Sequence, residues 1–472
     1  MFLAGFDGKK LQIIDRYDFV NKSFYINDDM CVDIDALLDV VLEGIKIFAE
    51  KGNIDSIGID TWGGSYVLLE KNGNIKGNVY NCRSKRQHQN YYSLLSKVDS
   101  YDLFKQSGVP FERHTVLSQL AYEISNGHSI DQETTFLLLP GYFACYLTGN
   151  KVNDASTAVD TVMTYPDGSD WNQKILNMFH IPKYICDPIV PVGTLNGQVT
   201  TDKLDRDKFH DTKVINVAGH DTMSAVVSIP DLTEGDCFVS IGTTIIVGAK
   251  TPVASTDKST FEKGYKNCIS LFGQNYLCTD ITGFWIVNQC FAHFEKDGRI
   301  PEITDMIEAA KAVHNNSYID PTDNIFSSTY DDMPQLIRDE CEKKDLKEPL
   351  NLGEIGACLF ESYALAIARK IQELAEITGK KEFRKIYVIS GASRNELLMQ
   401  DIANALKKEI YAGIPYATLV GNLLIQLVGN NWVNDPESLN RIAANTSQLK
   451  EYKNNSSQKW EDKIDRFNTI FR

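Results

Sequence analysis

The chain predicts an α/β fold in two domains, and three observations carry that reading. It has 472 residues, more than one core ordinarily organises. Strand-like and helix-like patterns alternate in both halves, as α/β architecture requires. The segment 214–250 then reads strand, helix, strand, turn, strand, with Asp221 at one strand end and Gly242, Thr243 and Thr244 in the turn. Phosphoryl transfer to an alcohol needs two such devices: a group to orient the attacking hydroxyl, and backbone donors for the moving phosphate.

The elements follow in order. Residues 2–6 and 11–17 flank Asp7 and Gly8 and read as a hairpin, because Asp-Gly suits a tight turn with positive φ. Leu38, Val41, Leu42, Ile45, Phe48 and Ala49 recur at helical spacing. Residues 54–60 form a short β-rich run that ends at Asp60, Thr61, Trp62, Gly63 and Gly64, and 66–69 form another that turns at Asn72 and Gly73. A basic patch follows at Arg83, Lys85 and Arg86. Residues 94–150 read as mostly helical, broken at Pro110 and Pro140, with a helix stop at Thr148-Gly149. Beyond the opening stretch, 275–277 and 283–294 suggest a strand and a helix, and 315–332 is polar and turn-rich. Ile355, Leu359, Ile367, Ile371 and Leu374 mark one face of a long helix over 353–377. A buried strand at 385–389 ends in Ser390, Gly391, Ala392 and Ser393, a helix starts near Asn395, and 418–427 form another.

The totals bound the function. Forty-eight basic residues stand against 63 acidic ones, a formal charge of -15. That argues against nucleic acid and other polyanions as partners while leaving room for a local phosphate site. The 10 cysteines show no Cys-x-x-Cys pair, which fits reduced thiols better than a disulfide framework or a zinc site. The first ten residues lack the features of an export signal, and no apolar run approaches a membrane span. A cytoplasmic protein with small-molecule ligands is expected.

The motifs resemble the FGGY carbohydrate kinases, nearest the branch that acts on L-rhamnulose. The matching pieces are 57–63; Tyr142 and Phe143 with 147–149; 219–222 with 224–226; Gly242 and Thr243; Gly283 with Trp285; Asn395 with Leu397 and Leu398; and Gly421 and Asn422 with 425–427. Each is short, and their order along the chain makes the resemblance. It implies two actin-like (ribonuclease H-like) domains with a cleft between them: 1–229 binding the sugar and 230–472 the nucleotide. It implies ATP and Mg²⁺ as cofactors. Asp221 becomes the base that takes the proton of the sugar hydroxyl. Asp60, Gly63, His220, Thr222 and Asp280 become substrate-binding residues, although Asp280 stands where the family has Asn. Gly242, Thr243, Asn288, Gly391 and Asn395 become nucleotide-binding residues.

Each residue also has a plainer reading. Asp221 is a favoured type for capping the helix that follows. Asp60 and Gly63 could simply form a turn, and Gly242-Thr243 an ordinary hairpin. Gly391 and Asn395 suit a close-packed strand–helix connection, a lone His220 is often structural, and the basic patch reads as a solvated loop. The chain also departs from the resemblance. The family opens on a central strand with an Asp-x-Gly-x-Thr/Ser phosphate loop, whereas residues 2–18 here match the next hairpin, so the first domain is expected to lack its first central strand. Ser65, Ser84 and Gly141 stand where aspartates are expected, Ser390 and Ala392 replace two glycines, and Tyr416 replaces an acidic residue.

Overall fold

A computed structural model of the chain describes every residue except 22, 28, 85, 87, 128, 129, 297, 456, 457 and 472. Lys85 of the basic patch therefore lies outside the described residues. The chain divides into two compact units that are not contiguous in sequence. One comprises 1–231, 251–277 and 417–447, the other 232–250, 278–416 and 448–472.

In the first unit, Phe2–Phe6 pairs antiparallel with Leu11–Arg16. Gly8 in their turn has a φ of 85°, and Asp7 Oδ1 accepts from Lys9 N and Lys10 N, both at 2.8 Å. Ser56–Gly58 pairs parallel with Lys213–Asn216, which pairs antiparallel with Thr194–Gln198. Among the described residues no strand joins the hairpin to this three-stranded sheet. The region read as mostly helical holds a strand as well: Thr135–Leu138 pairs antiparallel with Tyr66–Leu69. All four of its residues are buried, and a short, wholly buried apolar run carries no period that separates strand from helix. Pro140 opens the helix Leu139–Thr148 rather than breaking one, because the first turn needs no proline N–H. That helix stops at Gly149, with φ 82°.

The helix Ala417–Gly429 belongs to this unit through close approach of backbones. A Cβ on Gly421 would stand 1.8 Å from Ser224 O, so only glycine lets the two segments meet.

The second unit is built on a sheet in which Cys237–Ile241 pairs antiparallel with Thr244–Thr251 and parallel with Ile386–Ile389. Ile386–Ile389 pairs in turn with Ile410–Gly413, and that strand with Leu449–Tyr452. Every residue of Cys237–Ile241 and Ile386–Ile389 is buried, as expected of strands covered on both faces. The helix Leu352–Ile377 packs on Ile303–Lys311 and Glu396–Leu406, and its apolar face at Ile355, Leu359, Ile367, Ile371 and Leu374 is buried. Among the described residues no helix is long and apolar enough to cross a membrane.

Candidate active site

The first unit gathers its chemistry where two parallel strands end together. Thr61 N donates to Gly219 O at 2.8 Å and Asp221 N to Thr61 O at 3.1 Å. Asp60, Gly63, His220, Asp221 and Thr222 thereby come from adjoining strand ends. Gly219 has no room for a side chain, since a Cβ would lie 2.4 Å from Asp154 Oδ2 and 2.7 Å from a Pro140 carbon. Asp154 Oδ1 also accepts from Gly219 N at 3.1 Å and from Ser156 N at 3.0 Å, and His220 N donates to Ser156 Oγ at 3.2 Å. One buried carboxylate thus pins the start of the helix Ala155–Val159 to the strand end.

Asp221 is the first residue of its helix, and the cap position is His220, whose side chain makes no capping bond. Asp221 Oδ1 accepts from Thr222 N at 2.6 Å and Thr222 Oγ1 at 3.2 Å. Among the described residues nothing donates to Oδ2, and the side chain is half exposed at 50%. The bonds to Thr222 therefore occupy Oδ1 and leave Oδ2 open. His220 Nδ1 stands 3.4 Å from Asp221 Oδ1 but without hydrogen-bond alignment, so it is a buried nitrogen without a bonded partner. Asp60 Oδ2 accepts from Asn422 Nδ2 at 2.5 Å. Burial pushes the Asp60 carboxyl up to about 7; the Asn422 amide opposes the rise and the Asp221 carboxylate adds to it.

Two charged residues here escaped sequence reasoning. Asp160 closes the helix Ala155–Val159, and its Oδ1 accepts from Lys266 Nζ at 3.1 Å. Burial would raise Asp160, but the Lys266 ammonium, helped by His220 and His114, holds it down at about 2. The available signal was Asp154-Ala155-Ser156-Thr157, an N-cap pattern that fixes a short helix but not its neighbours. Nothing local marks Lys266 as a partner for a residue 106 positions away.

The departures in this unit have structural uses. Ser65 Oγ accepts from Trp62 Nε1 at 2.9 Å and donates to Tyr80 O at 3.2 Å. Ser84 Oγ donates to Asp29 Oδ1 at 2.8 Å, so an aspartate at 84 would face a second carboxylate. A side chain at Gly141 would meet Val152 O at 2.6 Å. The solvated reading of the basic patch fails for Arg86. Its side chain is 3% exposed, it pairs with Glu123 at 2.8 Å, and its guanidinium lies 3.5 Å from the Tyr80 ring centroid.

The second unit presents backbone instead. Gly283 N and Trp285 N donate to Thr243 O at 3.0 and 3.1 Å, and Phe284 N to Gly242 O at 3.0 Å. The start of the helix Phe284–Lys296 thus anchors the turn by its carbonyls. Gly242 and Thr243 are exposed, and among the described residues Thr243 N and Oγ1 have no protein partner. Ser390 sits at φ 77°, ψ -174°, a region essentially reserved for glycine. Its N donates to Ile414 O at 3.2 Å, and its hydroxyl meets that of Ser240 at 2.9 Å. Ala392 has no positive φ, so of the two glycine replacements only Ser390 keeps a glycine conformation. A Cβ on Gly391 would touch nothing within 4 Å. Asn395 Oδ1 caps the helix Glu396–Leu406 by accepting from Leu398 N at 3.2 Å, while its Nδ2 is buried without a partner. Asn288 and Asp280 are exposed, on the helix Phe284–Lys296 and the strand Asn275–Thr282. Tyr416 takes the Arg394 guanidinium 4.9 Å over its ring, a cation–π contact.

The family models decide the membership. The N-terminal domain of the FGGY family of carbohydrate kinases matches residues 16–228, and the C-terminal domain matches 237–429. The chain belongs to the FGGY family of carbohydrate kinases. Among curated FGGY relatives, a rhamnulokinase of Oceanobacillus iheyensis is 28% identical over 458 residues, covering 95% of each chain. A rhamnulokinase of Bacteroides thetaiotaomicron is 28% identical over 462 residues, covering 98% of this chain and 93% of its own. Among solved FGGY-like folds, ligand-bound xylulose kinase from Lactobacillus acidophilus aligns with a TM-score of 0.78 at 14% identity, over 100% of this chain and 94% of that one. Plasmodium falciparum glycerol kinase with ADP aligns with a TM-score of 0.78 at 16% identity, over 98% and 95%.

Proposed function

We propose that this FGGY kinase transfers the γ-phosphoryl group of ATP to a hydroxyl of a ketose, with L-rhamnulose as the leading acceptor and L-rhamnulose 1-phosphate as product. The observation that carries the reading is Asp221, whose Oδ1 is fully used by Thr222 while Oδ2 is open. The rhamnulokinase relatives support the choice of sugar. In this reading residues 1–229 bind the sugar and 230–472 the nucleotide, in the cytoplasm.

Asp221 Oδ2 accepts the proton of the attacking hydroxyl as that oxygen bonds to the γ-phosphorus, and the bond from phosphorus to the bridging oxygen breaks to leave ADP. His220, Thr222, Asp60, Gly63 and Asp280 are the proposed sugar contacts. Thr243 N and Oγ1, beside Gly242, are the proposed donors to phosphate oxygens, and they add no positive charge. Open space at Gly391 suits a nucleotide lying along the backbone, Asn395 Nδ2 is a buried donor without a partner, and Asn288 is the further proposed nucleotide contact. These features fit ATP. Bound with ATP, Mg²⁺ would neutralise charge on the phosphates; among the described residues no group of three or more His, Cys, Asp or Glu forms a metal cage. Steady-state phosphorylation of a ketose panel tests the reading: turnover on L-rhamnulose above all other ketoses supports it, and no turnover on any ketose overturns it.

The strain at Ser390 favours a second reading, a sugar-binding protein that has lost nucleotide use. Calorimetry separates the two, because ketose binding with no ATP binding supports only the second.

A further inference from the structure

The Asp160 carboxylate has two unlike sides. Oδ1 is taken by Lys266 Nζ at 3.1 Å. Oδ2 would lie 2.9 Å from a Cβ on Gly63, and His220 Cδ2 and Nε2 would lie 3.1 and 3.2 Å from the same point. A side chain at Gly63 would therefore meet the carboxylate and the imidazole, so only glycine lets this backbone lie against Asp160 and against His220, the residue that precedes Asp221. Among the described residues nothing donates to Asp160 Oδ2. The pair is mostly enclosed, with Asp160 19% and Lys266 14% exposed.

An enclosed ion pair gives little net stability, because desolvating two charges offsets their attraction. Its half-used carboxylate, next to a side-chain-free glycine and the proposed base, is better explained by a ligand. We propose that Asp160 is a sugar-recognition residue: Oδ2 accepts a hydroxyl of the acceptor other than the one phosphorylated, and Lys266 is the positioning residue that holds the carboxylate in place. The ligand class rests on the kinase reading. The inference adds that the acceptor must present two hydroxyls, one to Asp221 and one to Asp160. The Lys266 ammonium helps keep Asp160 ionised at neutral pH, and an ionised carboxylate accepts but does not donate. It therefore selects a hydroxyl over hydrogen or an ether oxygen at that carbon.

The test uses the full chain, with calorimetry for ketose binding and steady-state kinetics for turnover. L-Rhamnulose, L-fuculose and xylulose serve as probes, each with a deoxy analogue, and melting temperature checks the fold. Asp160→Asn should weaken ketose binding and raise its KM by about tenfold or more, and shrink discrimination against the deoxy analogue, with kcat changed by less than about threefold and ATP KM unchanged. Lys266→Met should act in the same direction, and Lys266→Arg should restore binding. If Asp160→Asn does not fold, the Lys266 pair decides: equal binding by the Met and Arg variants overturns the proposal. Asp160→Asn binding every ketose within about twofold of the parent also overturns it. Asp160-dependent ketose binding without phosphorylation removes the kinase reading and leaves this inference standing. Normal ketose turnover by Asp160→Asn removes this inference and leaves the kinase reading.

Discussion

Two regions of this protein are built from opposite materials. At residues 219–222 the candidate groups are side chains, set beside the buried Asp154 carboxylate and a Gly219 that admits no Cβ. At 242–243 and 390–395 they are backbone groups, with open space at Gly391 and a serine held in a glycine conformation. In the first region Gly219 and Thr222 are hemmed in while the Asp221 side chain stays half exposed. The second carries a substitution that its own backbone resists. Recognising a polyol requires directed side chains, whereas gripping a polyphosphate requires mainly aligned N–H groups.

The contrast can be broken or sharpened by substitution, beginning with the largest effect. Asp221→Ala should lower kcat by about 10²–10⁴-fold, the usual worth of a general base, with ketose affinity by calorimetry nearly unchanged. Near-normal turnover would move the chemistry away from this strand end. Gly421→Ala should destabilise the first unit by about 1–3 kcal/mol through overpacking, because its Cβ would stand 1.8 Å from Ser224 O; urea denaturation measures this.

Ser390→Gly should do the reverse in the second unit. Relief of a strained φ is worth about 1–3 kcal/mol, and the lost contact with Ser240 returns about 1 kcal/mol of that. A higher melting temperature is expected. A lower one would show that the hydroxyl pair outweighs the backbone strain.

The last effect concerns pH. Folded Asp60 keeps its proton up to about 7, against 3.8 when unperturbed. The folded state binds more protons than the unfolded state between those values, so stability falls as pH rises through that window. Asp60→Asn should flatten the change in denaturation midpoint between about pH 5 and about pH 8, and an unchanged slope would assign the titration elsewhere.

Much of the fold was legible because local rules governed it. Asp7-Gly8 specifies its hairpin, Gly149 stops its helix, and the spacing from Ile355 to Leu374 marks a helix face. Thr135–Leu138 was not legible, since four buried apolar residues fit either structure. Arg86 looked like a surface charge because its partners, Glu123 and the Tyr80 ring, are set only by folding.

The sequence by itself determined the α/β class and the ordered motifs that mark an FGGY kinase, together with Asp221 and the Gly242-Thr243 turn as the residues to watch. These follow from local propensity and from short runs of neighbouring residues. Tertiary structure alone decided that Asp160 meets Lys266 across 106 positions, that Asn422 bonds Asp60 across 362, and that Ser390 bears a glycine conformation. Charge pairing, burial and backbone strain depend on which distant segments pack together, and no local pattern records that choice.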